Sequence, residues 1–183
     1  MKKFLSALAA ALMLVGTTAG CGGNGGGSSN GGHDLSGAEQ QTANRMSRYL
    51  AQHGNGSISK KDASCIADSW VDKSGVAKLK RSKVLTASGQ VNTQNGTKIT
   101  PGLASDYADA LLGCIDYAKL QSQAVAKVNP KVDAKKMAGC FSKAMPKSDE
   151  KLLLVSTMTG KTDRKLMTKN AQAVQTCQAK AQK

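Results

Sequence analysis

The chain has 183 residues, with 26 Lys and Arg against 12 Asp and Glu, for a formal charge of +14. Aromatic residues make up only 3%, which argues against the clustered aromatic faces that sugar sites and single-stranded nucleic-acid platforms use. Ala, Lys, Gln, Leu and Met are plentiful and β-branched runs are short, so composition points to an all-α fold.

Residues 1–20 have the three parts of an export leader. Lys2 and Lys3 form the positive start, Phe4 to Val15 the apolar run, and small residues lead to a cut. The run is shorter than the roughly 20 residues needed to cross a bilayer, so it reads as a leader and not as a span. Two processing routes are compatible with this pattern. A plain cut after Ala19 or Gly20 leaves Cys21 as a free thiol. Thr18-Ala19-Gly20-Cys21 also resembles the lipobox of bacterial lipoproteins, with Thr18 where Leu is usual. That resemblance implies a diacylglyceryl Cys21 with palmitate-like chains, anchored on the extracytoplasmic face of the cell membrane. Two acyl chains give stable anchoring where one gives marginal binding. Residues 21–34 then form a Gly/Ser/Asn-rich tether with a reach on the order of 20 Å, and residues 35–183 form the ectodomain.

The ectodomain's charge is uneven. Residues 21–118 hold 10 basic and 8 acidic side chains, whereas residues 119–183 hold 14 and 4. Beyond Cys21 the cysteines are Cys65, Cys114, Cys140 and Cys177, an even number that reads as disulfides with three possible pairings. No C-x-x-C is present and the histidines are His33 and His53, so no metal site and no cofactor are expected.

The first predicted helix runs from Gly37 to Gln52. Ser36 and Glu39 form a capping box, and Ala43, Met46 and Leu50 share a face. Ser59 caps a second helix whose Ala63, Ile66, Ala67, Trp70 and Val71 make an amphipathic stripe. A short helix follows from Gly75 to Leu85, then a loop or small hairpin over 87–102 through Asn95-Gly96. A helix over Ser105–Gln121 carries Tyr107, Leu111, Cys114, Ile115 and Ala118 inward. Its Asp106, Asp109 and Asp116 read as a solvated acidic face rather than a cation site. Asp133 caps a helix with Met137, Cys140, Phe141 and Ala144 inward, closed by Pro146. Ser148 opens an apolar helix with Leu152, Leu153, Leu154, Val155 and Met158, ended by Gly160. The last helix, Thr162 to about Lys180, turns Leu166, Met167, Val174 and Cys177 inward.

The same grammar occurs twice. Ala63 to Trp70 aligns with Ala138 to Met145, and each is followed by a turn, a short Leu-containing helix, a glycine (Gly89, Gly160) and a helix with the second cysteine. The repeat predicts a small disulfide-stapled domain of two related three-helix units, about 53–121 and 122–183, paired Cys65–Cys114 and Cys140–Cys177. The layout resembles a group of actinobacterial lipoproteins of unknown function with a helical ectodomain. Cys65-Ile66-Ala67-Asp68-Ser69-Trp70-Val71 and Gly75 carry that resemblance, which implies no activity.

Catalytic patterns fail one by one. Ser57-Ile58-Ser59-Lys60 and Ser148-Asp149-Glu150-Lys151 spell S-x-x-K, but the companion S-D-N and K-T-G motifs are missing. Gly160-Lys161-Thr162 is half a phosphate loop, with Val155 where the first Gly is required. His53 has no partner in the pattern, so no catalytic residue is assigned. The expected function is a non-catalytic binding or structural module. Its basic residues Lys131, Lys135, Lys136, Lys143, Lys147, Lys165 and Lys169 are the candidates for contact with anionic lipid or a cell-wall polymer. An envelope protein is the other partner considered, and nucleic acid is not expected. The alternatives are an enzyme whose site no local motif reveals, and a small-ligand carrier.

Overall fold

The computed structural model describes residues 34–54, 57–93 and 99–182. The leader, Cys21, residues 22–33 of the expected tether, and Asn95-Gly96 of the expected loop or hairpin lie outside the described residues. Among the described residues eight helices run in order: α1 Gly37–His53, α2 Lys60–Ser74, α3 Val76–Arg81, α4 Pro101–Cys114, α5 Tyr117–Val128, α6 Ala134–Ala144, α7 Lys147–Thr159 and α8 Arg164–Lys180. Among the described residues there is no strand, only the isolated bridges Leu85–Val91 and Val132–Gln182. The fold is all-α, as the composition predicts.

Most helix starts have a local cause. Ser36 and Glu39 form the reciprocal capping box of α1. Ser59 caps α2, Thr100 caps α4 ahead of Pro101, and Asp116, Asp133 and Asp163 cap α5, α6 and α8 through backbone N–H groups. Such a side chain stabilises its helix by about 1 kcal/mol. Gly75 has φ +70° and joins α2 to α3 without an intervening loop, a conformation that strains other residues.

Several boundaries differ from the sequence reading, among them the end of α5 at Val128 instead of Gln121 and the start of α8 at Arg164 instead of Thr162. The expected helix over 105–121 is two helices, because Ile115 adopts extended backbone and the Asp116 carboxylate accepts from Lys119 N–H. It also begins earlier, at Pro101. The short helix ends at Arg81 instead of Leu85, and the chain then turns over Thr86–Gln90, where Thr86 N–H donates to Gln90 O. The apolar helix α7 starts at Lys147, with Pro146 in the cap position.

Both disulfides join the cysteines that the repeat pairs. Cys65–Cys114 ties α2 to α4 with a Cα–Cα distance of 5.8 Å, and Cys140–Cys177 ties α6 to α8 at 5.5 Å. The packing follows the same plan twice: α1 on α2 and α2 on α4, then α5 on α6 and α6 on α8. Each three-helix unit of the repeat is therefore preceded by a further helix, α1 or α5. Short α3 rests on α2, but its counterpart α7 leaves its own unit, packs chiefly on α4 and touches α8 only lightly. This exchange joins the two units into one continuous apolar core. Trp70, 1% exposed, is the largest fully buried side chain in it and lies edge-on to Tyr107 with ring centroids 4.7 Å apart. Tyr117 and Phe141 make the corresponding ring contact in the second unit.

Met167, expected inward, is not, and neither is Leu152 of the apolar run. Leu152 is 54% and Met167 48% exposed. Both sit on amphipathic helices at the border of the apolar stripe, where coverage depends on which neighbouring helix reaches them.

Candidate functional site

The structure disperses the acidic residues that the sequence places on one helix face. Asp106 accepts from Lys78 Nζ at 2.7 Å and from Ser74 Oγ at 3.1 Å. Asp109 pairs with Lys151 Nζ at 2.8 Å across the α4–α7 joint, and Asp116 is spent on its cap. Among the described residues no group of three His, Cys, Asp or Glu is arranged to hold a metal ion. His53, exposed at the end of α1, stacks on Tyr49 and its Nδ1 lies 3.0 Å from Tyr49 O.

Two carboxyls depart from ordinary behaviour: the Ser36 hydrogen bonds of the capping box lower the pKa of Glu39, and Glu150, which no sequence motif marks, is shifted the other way. It stands in the first turn of α7 at 4% exposure. Burial and the nearby Asp116 carboxylate raise its pKa to about 7, against a smaller lowering by Lys147. Tyr117, beside it, is pushed up to about 12, mainly by burial. Below the ordinary carboxyl range both folded and unfolded chains hold this proton. Between about 4.5 and 7 the folded chain holds it and the unfolded chain does not. Stability is therefore full at acid pH and declines as pH rises through 7, by on the order of 2 kcal/mol once solvent screening is allowed for. Glu150→Gln is expected to flatten this decline and to stabilise the protein at pH 8. Urea unfolding at pH 5 and pH 8 checks it, and parallel behaviour of mutant and parent would rule the account out.

The basic candidates fall into two places. Lys131 lies in the α5–α6 turn and Lys135 and Lys136 in the first turn of α6, whereas Lys143, Lys147, Lys165 and Lys169 lie elsewhere on α6, α7 and α8. Lys169 is engaged with Asp149. The first group has company. Asp133 N–H donates to Ala181 O at 2.8 Å and Val132 bridges Gln182, which brings the end of α8, with Lys180, against the start of α6. The end of α5, with Lys127 and the 59% exposed Val128, joins the same tip. Lys127, Lys131, Lys135, Lys136 and Lys180 thus share one end of the second unit. None of the five is in an ion pair among the described residues. Lys180 and Val128 had no signal in a linear reading, since both reach the cluster through the packing of α8 and α5 on α6.

Two of these lysines sit where helix electrostatics disfavours them. Lys135 and Lys136 follow the Asp133 cap in the first turn of α6, which contains no acidic residue. A cation there opposes the helix dipole at a cost of roughly 0.3–1 kcal/mol each. On α8, Arg164, Lys165, Thr168, Lys169 and Gln172 line a shallow open trough with no carboxylate among them.

No protein-family model, curated protein or solved structure matches the chain.

Proposed function

We propose that the chain is a lipid-anchored protein of the cell envelope, held through Cys21 on the extracytoplasmic face, and that its helical domain is a non-catalytic module resting on an anionic surface. The observation that carries this reading is the tip of the second unit. Five lysines without ion-pair partners among the described residues share this end with an exposed Val128, two of them at a helix start where stability alone would favour acids. A Lys close to an anionic membrane contributes about 1 kcal/mol, lost beyond a Debye length. An apolar side chain inside such a cluster suits headgroups of a bilayer better than a fully hydrated polymer.

The test uses residues 34–182, which contain every described helix, both disulfides and the whole described core. Cosedimentation with vesicles containing anionic lipid is expected at low salt, to weaken at high salt, and to be lacking with neutral vesicles. The triple variant K131E/K135E/K136E is expected to bind at least about a hundredfold more weakly. Its α6 should be as stable as the parent's or more so, because the acids suit the helix start. Salt-insensitive binding, or equal binding by the variant, contradicts the proposal.

A further inference from the structure

Helix α8 repeats α4 in register. The same offset separates the caps Thr100 and Asp163, the first helical residues Pro101 and Arg164, and the disulfide cysteines Cys114 and Cys177. Each helix is bound by its cysteine to the preceding cysteine helix of its unit. The surroundings differ. α4 is packed by α2 and also by α7, whereas α8 is packed by α6 and only lightly by α7.

The difference can be followed residue by residue. Ala104, Ala108 and Leu112 are spaced four apart, so they form one stripe along α4, and they are 0%, 0% and 8% exposed. Asp109, at the rim of that stripe, holds Lys151 of α7, which places α7 on this side. The counterparts on α8 are Met167, Ala171 and Gln175, and all three are exposed. The rim has changed sign as well. Gln172 replaces Asp109, and Arg164 and Lys165 stand at the start of the helix beside the trough. The fold thus contains a helix seat twice, once filled and once open.

We propose that the Met167–Ala171–Gln175 face of α8 is a docking seat for one amphipathic helix of a protein partner, with acidic residues on the flank that meets Arg164 and Lys165. Helix-in-groove docking uses such spacing, with apolar anchors giving area and flanking charge giving orientation. A second copy of this chain is disfavoured by its charge. By the repeat, the helix it would offer is α3, the counterpart of α7, whose exposed Lys80 and Arg81 would meet Arg164 and Lys165. The seat involves none of the five lysines of the tip, so either proposal can fail without the other.

The probe is a synthetic peptide of residues 146–160, which carries the apolar ridge that α4 accepts, with K147E and K151E supplying acid. It is titrated into isotope-labelled residues 34–182, followed by amide chemical shifts. Shifts are expected at Arg164, Lys165, Met167, Ala171 and Gln175. The same peptide with its native lysines is expected to bind several-fold more weakly, and the exposed-site variant Ala171→Glu to lose about tenfold or more with an unchanged Tm. Shifts confined to other helices, no shifts, or equal binding of the two peptides would overturn the proposal. Self-association of the chain that Ala171→Glu abolishes would assign the seat to a second copy, and broadening of this stripe by anionic vesicles would assign it to lipid; either result overturns the proposal.

Discussion

Replacing Cys140 and Cys177 together by serine is expected to free α8 while α1 to α4 remain folded. The described core explains why. On α8 the fully buried residues are Ala173 and Cys177, with Leu166 and Val174 half-buried, so little apolar area holds this helix. The Cys140–Cys177 bridge closes a separation of 37 residues, and a closure of that size stabilises by about 4 kcal/mol in the chain-entropy model. Against a total stability of about 5–15 kcal/mol this is a large share. In the first unit, α2 and α4 also share Trp70, Ile66, Leu103 and Tyr107 in the core, so that unit has apolar packing to fall back on. Amide hydrogen exchange separates the outcomes: in the double serine variant α8 should lose its protection while α2 and α4 keep most of theirs. Unchanged protection in α8, or uniform loss everywhere, would contradict this account.

The second large effect is at Trp70. Trp70→Ala removes the largest fully buried side chain and is expected to cost about 3–5 kcal/mol, the usual range for truncating a large aromatic in a close-packed core. Trp70→Phe is expected to cost much less. Its ring still meets Tyr107, and it eliminates an Nε1–H that is buried without a hydrogen-bond partner among the described residues, a state that costs about 1–3 kcal/mol. Urea unfolding of the three proteins checks both values. A similar loss in the Phe and Ala variants would mean that the indole N–H is satisfied in solution and contributes to stability.

Local signals in the sequence led far where physics is local. Ser36, Ser59 and Asp133 marked helix starts through hydroxyl or carboxylate groups placed to accept backbone N–H bonds, and the Ala63–Val71 stripe identified the buried face of α2. The repeat identified the disulfide partners because each cysteine pair closes the same helix-turn-helix unit. The break at Ile115-Asp116 was hidden because Ile115 continues the apolar period of α4. The periodicity gives no hint of a stop, and Asp116 has the look of surface charge in the sequence although it is a cap. What remained illegible was set by contacts distant in sequence. Leu152 and Met167 belong to apolar stripes, but a stripe does not say which helix covers it, and α7 crosses to α4. That crossing also buries Glu150 next to Asp116, where its pKa is raised. The basic residues were legible one at a time; the tip they form with Val128 and Lys180 is a product of α5, α6 and α8 ending together.

Contact between this tip and an anionic membrane surface can be read residue by residue through relaxation enhancement by a paramagnetic lipid. Labelled residues 34–182 would be mixed with anionic vesicles doped with a gadolinium-chelating lipid, and amide line broadening read along the chain. The account predicts the strongest broadening at residues 127–136 and 180–182, removed by high salt and missing with neutral vesicles. Broadening centred on α1 and α2, or none at any salt concentration, would contradict it.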